Sequence, residues 1–208
     1  MAAEGGIEAV VGAMKNHPSN AAVQLNGCLA LAFIAVDAEN KVLVARTGVI
    51  EAVVGAMKNH PSNAAVQLNG CRALAYIAIN ADNQVLVART GGIEAVVGAM
   101  KAQPSNADVQ HYGCWALTSI AINANNKVLV ARTGVIEAVV EAMKNHPSNA
   151  DVQHCGCRAL VNICWSSTEI CERIVRAGGK DVAMQAQSLH RSHSGVQENC
   201  KELLQKLM

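Results

Sequence analysis

The sequence repeats itself every 43 residues, and this periodicity limits the folds open to it. Four copies of the phrase Ile-Glu-Ala-Val-Val begin one period apart, at Ile7, Ile50, Ile93 and Ile136. Four prolines follow at the same interval, at Pro18, Pro61, Pro104 and Pro147. A fixed period of about 20 to 50 residues is typical of stacked units that bury their apolar faces against each other. We therefore expect one elongated solenoid whose function resides in a surface.

The composition and the net charge of the chain argue against some classes of binding partner. The 17 basic and 16 acidic side chains give a formal net charge of +1, which argues against a nucleic-acid groove because such binding depends on accumulated phosphate contacts. The longest uncharged apolar run, near residues 27–36, is far shorter than the roughly 20 residues of a membrane helix. No basic-then-apolar leader opens the sequence. We expect no nucleic-acid or membrane partner and a cytoplasmic location, with the nucleus as the alternative.

The eight cysteines are interpreted as structural thiols. Four of them occupy one position in successive units, namely Cys28, Cys71, Cys114 and Cys157. Equivalent helices of neighbouring units lie about 8–10 Å apart, whereas the Cα atoms of a disulfide lie about 4.4–6.8 Å apart. The spacing therefore predicts buried free thiols of a cytosolic protein. A redox or metal role is the alternative, and the last third is richest in cysteine, with Cys155, Cys157, Cys164, Cys171 and Cys200.

Each unit is predicted to contain three helices. Residues 40–46 form a short helix that ends at Thr47-Gly48, because Gly adopts the left-handed conformation at low cost. A second helix with one apolar stripe ends before Pro61, which cannot continue it. The third and longest helix, about 63–79, has Ser62 or Asn63 as its cap. Gly70 inside this helix costs about 1 kcal/mol relative to Ala, so another backbone is expected to pack closely there.

The order of short, medium and long helices resembles that of armadillo repeats. Residues 91–100 (Gly-Gly-Ile-Glu-Ala-Val-Val-Gly-Ala-Met) resemble the second helix of that family, and residues 113–121 (Gly-Cys-Trp-Ala-Leu-Thr-Ser-Ile-Ala) resemble the third. The resemblance covers nearly the whole chain and implies an all-α, right-handed α-solenoid; two-helix HEAT repeats are the alternative. We place a single solenoid over residues 1–208, with units at 5–47, 48–90, 91–133 and 134–177 and a partial C-terminal capping unit at 178–208.

Comparison of the units within the chain distinguishes core positions, which hardly vary, from surface positions, which do. Residues 7–47 and 50–90 differ at only six positions, and three of these, at 29, 33 and 37, step by four along the third helix and share one face. Free drift of an exposed face is one explanation. However, Phe, Tyr, Trp and Arg occur there, and these residue types anchor interfaces. We predict a peptide-binding groove with the contact residues Leu29, Phe33, Arg72, Tyr76, His111, Trp115, Ser119, His154, Arg158 and Asn162.

The armadillo resemblance implies how such a groove works. In that family the third helices line the concave surface, where a Trp and an Asn four residues later hold an extended peptide. Here Trp115 is the only match at the Trp position and Asn162 the only match at the Asn position, so the regular ladder is absent. Arg72 and Arg158 would repel basic peptides. The resemblance therefore implies a protein-interaction scaffold without catalysis or cofactor, whose partner is apolar or acidic.

The alternative function is a structural solenoid that self-associates. Nothing before Gly5-Gly6 can form a first short helix, so apolar surface around Ile7, Val10 and Met14 is expected to lack a cover and to favour a homodimer. At the other end, a last helix over about residues 194–208 carries charged side chains on one side, which suits a C-terminal cap.

Signals for metal binding or catalysis are weak. One histidine ends the second helix in four units (His17, His60, His146 and His190), and residues one unit apart cannot share an ion, so we interpret them as helix caps. His111 and His154 lie on the predicted groove near Cys155 but lack a Cys-x-x-Cys partner, so a zinc site is not expected. Gly178-Gly179-Lys180 lacks the rest of a phosphate-binding loop.

Overall fold

A computed structural model describes residues 2–37, 40–164 and 167–208, apart from the side chains of residues 2–4, 41, 42, 45, 127 and 128. Within this part the regular structure is helical. The helices are α1 (Ala2–Asn16), α2 (Ala21–Val36), α3 (Asn40–Arg46), α4 (Val49–Asn59), α5 (Ala64–Ile77), α6 (Ala81–Arg89), α7 (Gly92–Ala102), α8 (Ala107–Ala121), α9 (Lys127–Arg132), α10 (Val135–Asn145), α11 (Ala150–Cys164), α12 (Thr168–Arg176), α13 (Gly179–Leu189) and α14 (Ser194–Lys206), with a 3₁₀ turn at Ala124–Asn126 before α9.

Local sequence explains where the helices begin and end. The side chain of Asn63 accepts hydrogen bonds from the backbone amides of Ala65 and Val66, both at 3.1 Å, and so caps α5. Asn20 caps α2 in the same way, and the side chain of Asn106 caps α8 by accepting one hydrogen bond, from the backbone amide of Val109. Gly48 has a φ of 72° and separates α3 from α4, in a conformation that favours glycine. The three-helix unit predicted from the sequence is confirmed.

The helices form layers in which equivalent helices lie side by side. The third helices pack in chain order, α2 on α5, α5 on α8, α8 on α11 and α11 on α14. The second helices, α1, α4, α7, α10 and α13, pack on one another and on the third helices. The isoleucines that open the repeated phrase are fully buried between these layers. In the described part of the chain, no helix is long and apolar enough to cross a membrane.

The N-terminal helix does not expose the stripe that the sequence suggested. Ile7 is 0% exposed and Met14 is 2% exposed, and only Val10 of the three predicted self-association residues is partly accessible. The apolar side of α1 packs on α2 and α4, which are the following helices of the stack. The prediction that Ile7 and Met14 form an uncovered face is therefore wrong, because the stripe points into the core.

The glycine inside each third helix makes room for a methionine. A Cβ atom at Gly70 would lie closer than 3.0 Å to the Met57 side chain, and Gly27, Gly113 and Gly156 stand in the same relation to Met14, Met100 and Met143. The expectation of a closely packed backbone is thus wrong, since a side chain from the second helix fills the space.

A glutamine joins the second and third helices of every unit, and it is buried in the first four. Nε2 of Gln153 donates to the backbone oxygens of Met143 and His146, both at 2.9 Å. Gln197 makes the equivalent bonds to the backbone oxygens of Gln187 and His190. Counted from this glutamine, Cys200 stands where unit four has Gly156, and Gln187 stands where it has Met143. The last unit therefore changes both members of the glycine–methionine pair.

Histidines connect successive units. Nε2 of His146 lies 2.8 Å from the carbonyl oxygen of Pro104, and Nε2 of His190 lies 2.8 Å from that of Pro147. Gln103 replaces the histidine in unit three, and its Nε2 donates to the backbone oxygen of Ser62 at 3.3 Å. These histidines do occupy the C-cap position of the second helix. Their side chains, however, bind the preceding unit rather than cap their own helix.

Two of the cysteines form a disulfide, which corrects the expectation of free thiols throughout. Cys164 ends α11 and Cys171 lies in α12, and their Cα atoms are 5.1 Å apart. Cys164 and Cys171 do not occupy equivalent positions of neighbouring units, so the spacing between units does not keep them apart. The four cysteines that are equivalent, Cys28, Cys71, Cys114 and Cys157, are buried and free as predicted. Burial raises the pKa of Cys28 and of Cys71 to about 12.

Candidate functional site

The third helices share one accessible face. We call it the third-helix face and define it by the predicted groove residues of α2, α5, α8 and α11. Leu29, Tyr76 and Trp115 are partly accessible on it, whereas Phe33 is 57% exposed. Ser119 is only 6% exposed and lies beneath the surface. The prediction of Ser119 as a contact residue therefore has no support from its position.

An arginine lies among aromatic rings at the centre of units one to three. The guanidinium carbon of Arg72 is 4.8 Å from the ring centre of Phe33, 5.6 Å from that of Tyr112 and 5.9 Å from that of Tyr76. Distances within about 6 Å are those of cation–π contacts. Arg72 thus bridges three neighbouring third helices, α2, α5 and α8.

The aromatic rings form a continuous surface around this arginine. The ring centres of Tyr76 and Trp115 are 5.1 Å apart in an edge-to-face arrangement. Those of Tyr112 and Trp115 are 5.9 Å apart and stacked. Such pairs contribute about 0.5–1.5 kcal/mol beyond the burial of their area, so the rings are held in place before any ligand arrives. We call Phe33, Tyr76, Tyr112 and Trp115 the aromatic platform.

Sequence comparison overlooked Tyr112. It lies three residues before Trp115 and so shares its side of α8, but the predicted stripe followed steps of four only. The available signal was a replacement, because units one and two have Asn26 and Asn69 at the equivalent position. Those two asparagines donate to backbone oxygens in their own helices, whereas Tyr112 packs across the unit boundary.

Arg72 lacks the carboxylate partner that Arg158 and Arg173 have. Its Nε atom is buried and has no acceptor among the described residues. By contrast, Arg158, which occupies the same position in unit four, lies 3.4 Å from the carboxylate of Glu202. Arg173 lies 2.9 Å from that of Glu137. A buried donor without a partner costs about 1–3 kcal/mol.

The predicted contact residues of unit four are bound within the chain. Nδ2 of Asn162 donates to the backbone oxygen of Thr118 at 3.1 Å. Nδ2 of Asn199 lies 3.2 Å from both Nδ1 and the backbone oxygen of His154. Together with the Arg158–Glu202 pair, these contacts tie unit four to its neighbours on both sides. The structure thus brings five of the predicted residues of units one to three into one cluster and joins those of unit four to the scaffold; the five are Phe33, Arg72, Tyr76, His111 and Trp115.

His111 borders the platform at the start of α8. Its ring centre is 4.7 Å from that of Tyr112. Burial lowers the pKa of His111, and the nearby carboxylates of Asp151 and Asp108 offset part of that effect. The imidazole is therefore mainly neutral at pH 7. No group of three or more His, Cys, Asp or Glu side chains arranged to hold a metal ion occurs in the described part of the chain.

A second apolar feature lies at the C-terminal ends of the third helices. Val36 is 53% exposed, Ile79 is 47% exposed and Ile122 is 62% exposed. These residues are one unit apart and form an exposed row beside Phe33. Val36 and Ile79 are one of the six pairs that differ between units one and two, but they lie off the steps of four that defined the predicted stripe. The signal here is that the residue is apolar in each of these units although its position is exposed.

The N-terminal end of the stack contains a cleft of about 480 Å³ between α1 and α2. Val10, Ala13 and Val23 line it, together with Met14 and Gly27. It is the part of the predicted self-association surface that remains accessible.

Comparisons with known proteins extend this description. A family model described as "Protein zer-1 homolog-like, C-terminal domain" matches residues 12–207. No curated protein matches the sequence significantly.

Solved structures of repeat proteins are similar in fold. One crystal structure of an engineered protein is 27% identical, with 98% of this chain and 81% of that chain covered and a TM-score of 0.84. A second engineered protein is also 27% identical, with 98% of this chain and 48% of that chain covered and a TM-score of 0.83. A designed armadillo repeat protein is 19% identical, with 98% of this chain and 83% of that chain covered and a TM-score of 0.84. The last likeness shows that the solenoid has the armadillo fold.

Proposed function

This chain belongs to the zer-1 homolog-like C-terminal domain family and has an armadillo-like fold, and on that premise we propose that it binds an extended peptide segment of a partner protein on its third-helix face. The fold suggests a protein-interaction scaffold in general. The peptide groove is our more specific proposal. We propose that the third-helix face is concave and that it is the surface that binds the partner.

The observation that carries this proposal is the aromatic platform with Arg72. Phe33 is more than half exposed beside the half-buried rings of Tyr76 and Trp115, and a contiguous apolar patch at the surface marks an interaction site. Aromatic residues and arginine contribute most of the binding energy at many interfaces. The partner we propose is therefore an apolar or acidic protein segment, not a nucleic acid or a membrane.

We propose a non-catalytic role without a cofactor. The armadillo-like fold typically serves as a scaffold, and the platform contains no nucleophile paired with a base. The compartment we propose is the cytoplasm, with the nucleus as the alternative. The six free cysteines of the described residues support this proposal, whereas the Cys164–Cys171 disulfide is of a kind that is rare in those compartments.

Affinity capture from a cell lysate tests the proposal. The chain is compared with a Phe33→Ala/Trp115→Ala variant and with a Glu51→Ala/Glu94→Ala control, which changes two exposed carboxylates on the second helices α4 and α7. All three are checked for helicity, melting temperature and mass in solution. We expect proteins that are retained by the unaltered chain and by the control and lost from the platform variant.

The alternative function gives a different result. If the three proteins retain the same partners, or none, and the chain sediments as a dimer or larger species, then the third-helix face is not the working surface. The cleft around Val10 and Val23 at the N-terminal end becomes the candidate for self-association. A Val10→Lys change would then convert the larger species to a monomer.

A further inference from the structure

We infer that the segment bound on the third-helix face is acidic, that one of its Asp or Glu carboxylates pairs with Arg72, and that it covers units one to three without contacting unit four. This inference rests on the proposed function and specifies its partner.

The positive charge of Arg72, which is partly accessible and has no carboxylate beside it among the described residues, indicates the charge of the partner. Arg158 and Arg173 each have a carboxylate within 4.0 Å, whereas no described residue provides one for Arg72. The rings of Phe33 and Tyr112 hold the guanidinium but accept no strong hydrogen bond from its edge. A carboxylate binds a guanidinium edge with two parallel hydrogen bonds. The pairing that Arg158 obtains from Glu202 within the chain is thus obtained by Arg72 from a partner.

The distribution of acidic side chains along the face agrees with this assignment. Units three and four have Asp108 and Asp151 in the first turn of the third helix. Units one and two have Ala22 and Ala65 at the same position and no acidic residue in the first turn. At the first turns of the third helices, an acidic segment is therefore repelled least in units one and two, where Arg72 lies. Asp37, the acidic residue of the same stripe in unit one, lies at the opposite end of α2.

Unit four is excluded because its side chains are already bound. Arg158 would have to leave Glu202, and Asn162 would have to leave the backbone oxygen of Thr118, before either could bind a peptide. In units one to three, by contrast, Phe33 is exposed and Arg72 and Trp115 are partly accessible, and no ion pair within the described residues has to break before a peptide binds Arg72. The binding surface therefore extends from Phe33 on α2 to Trp115 on α8.

The length of the bound segment follows from the spacing of the helices. Neighbouring packed helices lie about 8–10 Å apart, so α2 and α8 are separated by about 16–20 Å. An extended chain advances about 3.3 Å per residue. The segment in direct contact therefore has about five or six residues, with the acidic residue near its middle and apolar side chains on Phe33 and Trp115.

Selection from a random peptide library displayed on phage tests the inference without knowledge of the natural partner. Enriched sequences are synthesised with an acetylated N terminus and an amidated C terminus, so that only Asp or Glu side chains supply carboxylates. Their dissociation constants are measured by fluorescence polarisation against the unaltered chain, Arg72→Gln and Arg158→Gln. Arg158 is the matched control because it has the same place in its unit. Circular dichroism confirms that each variant is folded.

We expect enriched peptides to contain Asp or Glu at a fixed position. Arg72→Gln should weaken binding by about tenfold or more, as expected for loss of a charge-assisted pair, and Arg158→Gln should leave it within about twofold of the original. Replacing the acidic residue of the peptide by its amide should add no further loss in Arg72→Gln. That non-additivity identifies the pair.

Two other results would overturn the inference in distinguishable ways. If enriched peptides lose binding to Phe33→Ala/Trp115→Ala but contain no fixed acidic residue, or if Arg158→Gln weakens binding as much as Arg72→Gln, the proposed function stands and the inference fails. If no peptide is enriched, or if binding is indifferent to the platform variant, both fail.

Discussion

Nε2 of His60 lies 2.8 Å from the carbonyl oxygen of Pro18 in the preceding unit. The two residues are 42 positions apart in the sequence, so this contact connects units that the chain itself links only through intervening helices. Because a solenoid is stabilised by nearest-neighbour interfaces, such a contact contributes to the coupling between units as well as to local structure.

Replacement of His60 by alanine tests this coupling. We expect a loss of about 0.5–1.5 kcal/mol in the free energy of unfolding, the usual net contribution of one hydrogen bond, and about 2–4 °C in melting temperature per kcal/mol. His60→Gln should retain most of the stability, because Gln103 makes the equivalent contact to Ser62 in unit three. His17→Ala is the control, as no such contact is found for His17 among the described residues. Equal losses in His17→Ala and His60→Ala would contradict this role.

Gly70 is predicted to be intolerant of a methyl group. Gly70→Ala should destabilise the protein by about 1–3 kcal/mol, because the added Cβ overlaps the Met57 side chain. Gly55→Ala, in the neighbouring helix α4, has open space around it and should stabilise by up to about 1 kcal/mol through helix propensity. In urea denaturation, Gly70→Ala/Met57→Ala should lose less than the sum of the two single changes. Strict additivity would show that the overlap is not the cause.

The buried cysteines predict a loss of stability at alkaline pH. Burial, with a smaller contribution from Cys28, raises the pKa of Cys71 from 9.0 to about 12, so between these values the folded state holds a proton that the unfolded state releases. The free energy of unfolding should therefore fall as pH rises above about 9, by at most about 1.4 kcal/mol per pH unit for each such thiol. Urea denaturation of the chain and of Cys71→Ala from pH 8 to pH 10 measures this slope. If the free energy of unfolding of Cys71→Ala falls with pH as steeply as that of the unaltered chain, Cys71 is not the thiol responsible.

Ile7 is predicted to act on folding rather than on association. Ile7→Ala should lower the free energy of unfolding by about 2–5 kcal/mol, since the side chain is fully buried and its removal leaves a cavity. Val10→Ala, at a half-buried position on the same helix, should have a smaller effect. Mass in solution, measured by sedimentation, should not change in either variant. A change in association without loss of stability in Ile7→Ala would restore the self-association role assigned to it from the sequence.

Much of the fold could be predicted because its determinants are local and repeated. The Asn63 cap, the Gly48 turn and the apolar stripe of α4 each depend on a few neighbouring residues, and the repeats present the same signal several times. The burial of Ile7 and Met14 was predicted wrongly because it depends on which side of α1 meets the next unit. A single unit contains no signal for that choice.

The candidate site was predictable only in outline. Steps of four along the third helix located Phe33, Arg72 and Trp115 on one face, which the structure brings together in units one to three. The pairing of Arg158 with Glu202 could not be predicted, because it joins residues 44 positions apart whose meeting depends on side-chain geometry between helices. The Cys164–Cys171 disulfide likewise depends on how the chain turns between α11 and α12.

Photo-crosslinking tests the central claim, binding on the third-helix face, most directly. A library-selected peptide carrying a benzophenone side chain is irradiated with the unaltered chain, and the attachment sites are identified by mass spectrometry. We predict attachment to exposed positions of α2, α5 and α8, with Phe33 and Tyr76 prominent, and attachment that is lost in the platform variant. Attachment to the second helices α4 and α7, or to the cleft around Val10 and Val23, would contradict the proposed binding surface.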